Sequence, residues 1–295
     1  MTQYCGYIAL IGRPNVGKST LMNRILDHKI SITSRKPQTT RHSIVGVRTE
    51  EAYQFVYVDT PGIHQGVKKA MNRMMNKTAI RVLNDVDVIV WLIDGLHWKP
   101  EDEYVLSLVT AANVPCVLVI NKVDTVPDKL QLLPWMERMA ARHAFAAIIP
   151  LSAKTGIQVD TLHKQLQTFL PESPHLFPDD QLTDRSLTFL CAELLREKIF
   201  RRCGDELPYA TTVIIESYKD TGQLVRVDAL VLVDRESHKR MIIGDKGTKL
   251  KEMATQARLD MEELIGKKVF LQCWCKVKSG WSDNDKILHE LGYDS

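Results

Sequence analysis

Three short motifs in the N-terminal half of the chain combine residue types that bind phosphate, Mg²⁺ and a purine base. The first is Gly12-Arg13-Pro14-Asn15-Val16-Gly17-Lys18-Ser19-Thr20, which follows the apolar run Tyr7–Ile11 and fits the pattern Gly-x4-Gly-Lys-Ser. In this pattern, backbone N–H groups of the loop and of the following helix converge on phosphate oxygens. We therefore expect Lys18 to bridge the β- and γ-phosphates of a nucleotide and the Ser19 hydroxyl to bind Mg²⁺.

The second motif selects the base. Asn121-Lys122-Val123-Asp124 directly follows the apolar run Pro115–Ile120. The Asp124 carboxylate can accept hydrogen bonds from guanine N1–H and its exocyclic amine, whereas adenine offers no such donor pair. The Lys122 stem can pack along the ring. Downstream, a backbone N–H of Ser152-Ala153-Lys154 can donate to guanine O6, although an ordinary loop would also explain that triplet.

The third motif, Asp59-Thr60-Pro61-Gly62, ends the predicted strand Phe55–Val58 and is placed to sense the γ-phosphate. Asp59 can hold a Mg²⁺-bound water, and the Gly62 N–H can approach the γ-phosphate. Upstream, Thr39-Thr40-Arg41 lies in the polar stretch 28–43, which has the length of a switch loop. A threonine there can bind Mg²⁺ only when the γ-phosphate is present, so GTP would order the loop and hydrolysis would release it.

The residue after Gly62 makes the expected intrinsic hydrolysis rate low. Many GTPases have a glutamine there that orients the attacking water, but this chain has Ile63, which has no polar side-chain atom. Asn15 is one compensating candidate, because GTPases with a similar loop use an asparagine at the matching position to help bind K⁺. His64 is a second candidate, as a base, although a solvated switch histidine explains it better.

The elements that must position these residues alternate between short apolar strands and helix-length segments. The predicted strands are Tyr7–Ile11, Phe55–Val58, Val86–Ile93, Pro115–Ile120 and Ala147–Leu151, with 44–49 and 54–58 as a hairpin. The predicted helices are Lys18–Asp27, Ala70–Asn84, Glu101–Ala112, Lys129–His143 and Val159–Leu170. This alternation predicts an α/β domain with a doubly wound, mostly parallel sheet, which binds ligands beyond the carboxyl ends of its strands.

A proline-rich stretch follows and predicts a domain boundary. Three of the twelve prolines lie in residues 171–178, as is typical of a stiff extended connector. We therefore expect a nucleotide-binding domain over 1–170, a linker over 171–182 and a second domain over 183–295. The second part predicts the order α-β-β-α-α-β of a small α+β domain, beginning with a helix capped by Thr183 or Asp184.

The glycine pair of the second domain has a composition suited to nucleic-acid backbone. Gly244-Asp245-Lys246-Gly247 would join two helices beside a sheet, as in a KH clamp, with Ile242 and Ile243 as an apolar floor for bases. The candidate RNA-binding residues are Ile242, Ile243, Gly244, Lys246, Gly247 and Lys249. Judged from these residues alone, an ordinary helix-turn-helix connection explains the pattern equally well.

Composition argues against a membrane-spanning or secreted protein and shows where charge could support nucleic-acid binding. No apolar run is long enough for a membrane helix and no secretory signal is visible, which favours a cytoplasmic protein with reduced cysteines. Residues 1–170 hold 20 Lys+Arg against 14 Asp+Glu and the remainder holds 19 against 22, so any nucleic-acid argument must be local. Cys273 and Cys275 share an apolar strand face and are expected to be core residues. Trp98 and Trp281 are candidate docking aromatics, although local packing would explain them equally.

Taken together, the motifs resemble those of the translation-factor-like P-loop GTPases and, more closely, the Era family. The Era resemblance covers nearly the whole chain, including Pro37-Gln38-Thr39-Thr40-Arg41-His42, Asp184-Arg185-Ser186 and Lys276–Trp281. It implies a Ras-like GTPase domain followed by a type II KH domain that binds the 3′ end of 16S ribosomal RNA in assembly of the 30S subunit. It also implies that Thr40 is the Mg²⁺-binding threonine and allows a peripheral membrane association; we expect a monomer.

One alternative stays open at this point. The chain would be a GTPase whose C-terminal domain binds a protein or a membrane instead of RNA, in keeping with the net charge of −3 over residues 171–295.

Overall fold

The first sheet brings the motif-bearing strands side by side. The computed structural model describes residues 2–63, 69–204 and 207–293. Six strands lie in the order β2-β3-β1-β4-β5-β6, and only β2 runs antiparallel to its neighbour. Their bounds are β1 Tyr4–Ile11, β2 Ile44–Glu50, β3 Tyr53–Asp59, β4 Val88–Asp94, β5 Cys116–Asn121 and β6 Ala147–Pro150. The predicted mostly parallel α/β sheet and its hairpin are confirmed.

Helices cover both faces of this sheet, which explains why its central strands are apolar on both sides. The helices are α1 Lys18–Leu26, α2 Ala70–Val82, α3 Pro100–Ala112, α4 Leu132–Ala140 and α5 Val159–Gln167. One apolar cluster joins α1 and α5 to strand residues such as Leu10 and Val119. The other joins α2, α3 and α4 to Trp91 of β4, which is fully buried. The motifs at the ends of β1, β3 and β5 therefore share one edge of a rigid platform.

The proline-rich stretch lies along the first sheet in an extended form. The Cys5 N–H donates to the Pro171 carbonyl at 3.2 Å, and Gln54 Oε1 accepts from Leu176 N–H at 2.8 Å and Phe177 N–H at 2.9 Å. Along the chain, the strands of the first sheet precede this stretch and the strands of the second sheet follow it. The boundary at 171–182 stays a prediction.

The second sheet has three strands backed by helices. In chain order the elements are α6 Leu187–Arg202, β7 Thr211–Asp220, β8 Leu224–Val233, α7 Glu236–Ile243, α8 Thr248–Ile265 and β9 Lys268–Val277. Strand β8 lies in the centre, antiparallel to β7 and parallel to β9. Alternate residues of β8 from Val225 to Val233 are buried, and Cys273 and Cys275 of β9 pack in the same core. The predicted order α-β-β-α-α-β is confirmed.

Helix α6 begins later than its predicted cap residues. Ser186 caps it, because the Ser186 hydroxyl accepts from the Phe189 N–H at 3.2 Å. Thr183 instead pairs with Gly46 of β2 and donates its hydroxyl to the Val45 carbonyl at 2.5 Å. The prediction of Thr183 or Asp184 as cap was wrong, since a contact with the first sheet takes Thr183.

The C-terminal segment connects the two halves of the molecule. A short helix, α9 Asp285–Glu290, packs on α2, and Trp281 is fully buried in a cluster with Met71 and Met75 of α2. Asp283 Oδ1 accepts from the Ala70 N–H, the first N–H of α2, at 2.8 Å. The interpretation of Trp281 as a docking aromatic was wrong, because this internal interface buries its ring.

Replacing Trp281 by alanine should destabilise the protein strongly. Removing a fully buried indole costs about 3–5 kcal/mol of unfolding free energy through lost contacts and a residual cavity. The measurement is chemical denaturation of Trp281→Ala against the parent protein. Phe270→Ala is the matched control, because half of the Phe270 side chain is exposed. Equal losses in the two variants would contradict the burial of Trp281.

Candidate nucleotide site and switch segment

The phosphate-binding loop packs against the residues that would read the base. Gly17 has φ 103, and a Cβ there would lie 2.2 Å from Asn121 Nδ2, so only glycine fits. The Lys18 ammonium donates to the carbonyls of Gly12 and Arg13, each at 3.1 Å. Burial lowers the pKa of Lys18 to about 8. This buried cation is available to a phosphate that displaces its carbonyl partners.

Arg13 shows which parts of the loop face the nucleotide. Its guanidinium turns away from the phosphates and donates to Asp102 at 3.1 Å, with Asp94 at 3.8 Å. Asp102 is fully buried at the start of α3. Arg13 therefore anchors the loop to α3 and offers the nucleotide only its backbone.

Four side chains from β3, α1 and the polar stretch 28–43 meet at the phosphate end of the site. Asp59 Oδ2 accepts from the Ser19 hydroxyl at 2.6 Å and the Ser31 hydroxyl at 2.7 Å, and Thr40 Oγ1 lies 2.8 Å from Ser19 Oγ. Burial raises the pKa of the Asp59 carboxyl, while Lys18 opposes this shift. Within the described residues, the buried Asp59 Oδ1 has no hydrogen-bond partner. A buried carboxylate beside two hydroxyls is a donor set that suits Mg²⁺.

The two adjacent threonines of the switch segment, defined here as residues 28–43, point in different directions. Thr39 Oγ1 donates to the Lys36 carbonyl at 2.7 Å and lies 2.6 Å from Ser34 Oγ, inside the segment itself. Thr40 faces Ser19 and Asp59. This geometry agrees with the assignment of Thr40, which the family resemblance implied.

The base-reading motif is held in place by the phosphate loop. Asn121 Nδ2 donates to the Val16 carbonyl at 2.7 Å, and Asn121 Oδ1 accepts from the Ala153 N–H at 2.9 Å. Asp124 Oδ1 accepts from the Ser152 hydroxyl at 2.6 Å. Asn121 and Ser152 are thus positioning residues, and the Asp124 carboxylate is left oriented for a donor pair.

A cavity of about 870 Å³ joins the phosphate end to the base end. Lys18 and Ser19 line one end, and Lys122, Asp124 and Lys154 line the other. Phe200 and Arg201 of α6 line a further wall, and Arg201 Nη2 donates to Thr33 Oγ1 at 3.0 Å. Sequence reasoning missed this wall, because Arg201 and Thr33 are 168 positions apart and leave no local pattern.

Ile63, which we expect among the GTP-binding residues, turns its side chain away from the phosphate loop. Its side chain is fully buried in the core with Ala79 and Trp91, because the turn after β3 bends back over the first sheet. Only its backbone stays near the phosphate loop, where the Ile63 N–H donates to the Gly12 carbonyl at 3.2 Å. Val16 and Thr60 are fully buried in the same way. His64 lies outside the described residues.

The glycine pair of the second domain joins α7 to α8, as predicted. Gly244 has φ 72, and a Cβ there would lie 2.6 Å from Lys249 Cβ, so this glycine is sterically required. Lys246 is exposed between the two glycines. Ile242 is fully buried in the core beneath α8, so its prediction as a floor for bases was wrong, whereas Ile243 is half-buried.

Comparisons with known proteins agree with both halves of this description. A family model described as 50S ribosome-binding GTPase matches residues 7–122, and a KH domain model matches residues 206–282. GTPase Era from Coxiella burnetii is 51% identical over 291 residues, covering 99% of this chain and 98% of the relative.

The chain belongs to the Era family of GTPases. Two solved Era structures cover 99% of this chain and 100% of their own chains. One is an Aquifex aeolicus Era variant bound to GDP and AlF4⁻, at 35% identity and a TM-score of 0.96. The other is Era in complex with MgGDPNP and nucleotides 1506–1542 of 16S ribosomal RNA, at 36% identity and a TM-score of 0.95.

Nucleotide affinity should fall as pH rises through the pKa of Lys18. In the nucleotide-free protein Lys18 is charged at pH 6.5 and mostly neutral at pH 8.5, since its pKa is about 8. Phosphate binding then has to be accompanied by proton uptake, so GDP affinity should drop by about fourfold across that range. The measurement is GDP binding by calorimetry, with proton uptake obtained from buffers of different ionisation enthalpy.

Lys18→Arg is the control for this measurement, because a guanidinium stays charged throughout. We expect weaker binding by that variant without the pH slope. The same slope in both proteins would show that another group is responsible.

Proposed function

We propose that the chain is a GTP-hydrolysing switch protein whose nucleotide state controls its binding to the 3′ end of 16S ribosomal RNA during assembly of the 30S subunit. One observation carries the enzymatic part. Ser19, Thr40 and Asp59 converge within 3.5 Å at one end of a cavity whose other end presents Asp124. A guanine reader and a γ-phosphate-dependent threonine in one cavity are the parts that a GTPase needs.

The chain's own residues would act mainly by binding and orientation. Lys18 would hold the β- and γ-phosphates, and the Gly62 N–H would donate to the γ-phosphate. Ser19 and Thr40 would bind Mg²⁺ directly and Asp59 through a water. A bound Mg²⁺ supplies positive charge for the phosphate oxygens as negative charge shifts during hydrolysis. Asp124 and Lys122 would hold the guanine, so that the γ-phosphate takes the same position relative to Lys18 and Thr40 in each turnover.

The site offers no polar side chain at Ile63 to orient water, so a bound cation is the compensation that we propose. Asn15 Nδ2 donates to the Arg35 carbonyl of the switch segment at 2.7 Å. An amide that donates through its nitrogen presents its oxygen on the other side, as a K⁺ ligand requires. Asn15 would therefore connect a K⁺ beside the phosphates to the closed switch segment.

GTP hydrolysis should be faster in KCl than in NaCl at matched ionic strength, by about tenfold if K⁺ supplies one transition-state contact. The measurement is phosphate release under single-turnover conditions. Asn15→Asp keeps an oxygen and should retain K⁺ dependence, whereas Asn15→Ala should lose it. Equal rates in both salts would exclude K⁺ as a cofactor.

RNA is the partner that the second domain supports best. The matched KH domain model includes α7, α8 and their glycine loop, and Lys246 stands exposed in that loop. The Era structure solved with nucleotides 1506–1542 of 16S ribosomal RNA matches this chain over both domains. Protein or membrane as the main partner is not favoured. The family model described as 50S ribosome-binding GTPase matches residues 7–122, which lie in the first domain, so it gives no information about the partner of the second domain.

Lys246→Glu should weaken RNA binding without changing nucleotide binding. Reversing one exposed charge beside a phosphate should lower the affinity for RNA of any sequence. It should also lower the slope of log affinity against log salt concentration by about 1. The measurement is binding of a short single-stranded RNA with the sequence of the 16S rRNA 3′ end, at several salt concentrations. Lys246 is preferable to Gly244, where a side chain would clash with Lys249 and distort the loop.

Lys286→Glu, at the start of α9 and far along the chain from the glycine loop, is the matched charge control. Loss of affinity in both variants, or in neither, would argue against the glycine loop as the RNA contact.

The remaining expectations stay predictions. They are a monomer, a cytoplasmic location with possible peripheral contact to the cell membrane, and the division into 1–170, 171–182 and 183–295. Within the described ranges, no helix has the length and apolar character needed to cross a membrane.

A further inference from the structure

Both neighbours of Thr40 are held by the second domain. The Thr39 carbonyl, which belongs to the peptide group that precedes Thr40, accepts from Arg196 Nη2 of α6 at 2.5 Å. On the other side, Arg41 Nη1 donates to the Thr211 carbonyl at 2.9 Å and to the Tyr293 hydroxyl at 3.0 Å. The residues before and after Thr40 are thus both held in place, and this fixes the position from which the Thr40 hydroxyl contacts Ser19.

Arg196 is itself held rigidly. It is 1% exposed, and the Glu193 carboxylate accepts from both its Nε and its Nη2. Its guanidinium lies 4.8 Å from the centre of the Phe200 ring. A bidentate pair with a stacked ring fixes the plane of a guanidinium, so its donor points in one direction. That direction is the Thr39 carbonyl.

Arg41 and His42 continue the contact toward the C-terminus. Arg41 lies over the rings of Phe200, Trp281 and Tyr293, and the His42 ring stacks on Tyr293 at 4.5 Å. Burial lowers the pKa of His42 to about 4. A neutral ring can stack here beside two arginines without adding charge. The switch segment is therefore a component of the core between the domains.

We propose that Arg196 is a positioning residue for GTP hydrolysis, which places the Thr40 hydroxyl beside Ser19 and Asp59 from the second domain. The inference rests on the proposed GTPase function and adds a requirement to it. The residues that we expect to contact the nucleotide phosphates belong to the first domain, whereas contacts from the second domain hold the switch segment in the position that hydrolysis needs.

The expected consequences differ between GTP and GDP. Thr40 is needed only when a γ-phosphate is present, whereas the phosphate loop and the Asn121–Asp124 motif bind both nucleotides. Loss of the Arg196 contact should therefore weaken the binding of Thr40 to Mg²⁺ in the GTP-bound state and leave GDP affinity unchanged. A general folding defect would lower both affinities together.

The test uses the full chain with Arg196→Met, together with Glu193→Gln/Arg196→Met, which avoids leaving a buried carboxylate without its partner. Displacement of a Mg²⁺ ligand should lower kcat by about 10- to 100-fold. We also expect the Mg²⁺ concentration for half-maximal hydrolysis to rise, with GDP affinity within about twofold of the parent. Arg196→Lys should recover only part of kcat, since an ammonium cannot bond Glu193 and Thr39 in one plane.

A second readout does not require turnover. Trypsin can cut after Arg35, an exposed residue of the switch segment, and we expect GDPNP to protect this bond in the parent protein. In the Arg196 variants the bond should be cut as fast with GDPNP as with GDP.

Arg202→Met is the matched control, because Arg202 lies on the same helix and pairs with the exposed Glu252 of α8. It should behave as the parent in every measurement. Parent-like kcat, Mg²⁺ dependence and protection in both Arg196 variants would overturn the proposal. If the parent itself failed to hydrolyse GTP, the proposed function would fall, and the GDPNP protection would still decide the role of Arg196.

Discussion

The carboxylate of Asp59 is the point on which the nucleotide site depends. It is fully buried at the end of β3, where burial disfavours its charge, and the structure surrounds it with Lys18 and three hydroxyls. Those groups come from the first turn of α1 and from the switch segment, so satisfying one carboxylate requires both segments to be in place. A buried acid without such partners would be costly, and this cost makes the arrangement specific.

The same requirement reaches into the second domain. In the switch segment the Thr39 carbonyl accepts from Arg196, the Thr33 N–H donates to Glu197 at 2.9 Å, and the Arg41 side chain donates to the Tyr293 hydroxyl. Asp283 holds the first N–H of α2, the helix that follows the Asp59–Gly62 turn. The switch segment and the start of α2, which both follow residues expected to contact the γ-phosphate site, are thus hydrogen-bonded to the second domain. Binding or loss of the γ-phosphate should therefore shift the equilibrium between arrangements of the two domains, and the domain arrangement should in turn affect γ-phosphate binding.

Much of this could be predicted from the sequence. Strands that are buried on both faces are continuous apolar runs, so β1, β3, β4 and β5 were recognisable, and the motifs follow directly at their ends. The apolar strand face that contains Cys273 and Cys275 likewise predicted core positions in the second domain. The predictions that failed depend on contacts distant in the chain: Thr183 bonds to β2 instead of capping α6, and Trp281 is covered by α2. Arg196 lies on a helix that carries several charged residues, and only its contact with Thr39 distinguishes it.

Reciprocal coupling between nucleotide and RNA is the measurement that tests this account most directly. Affinity for the 16S rRNA 3′-end oligonucleotide is measured with GDPNP, with GDP and without nucleotide, and GDPNP affinity is measured with and without that RNA. Because coupling between two sites is reciprocal, RNA affinity should change between GDPNP and GDP, and the RNA should shift GDPNP affinity relative to GDP affinity by the same factor. Equal RNA affinity in all three states, with both ligands bound, would show that the switch segment and the second domain act independently.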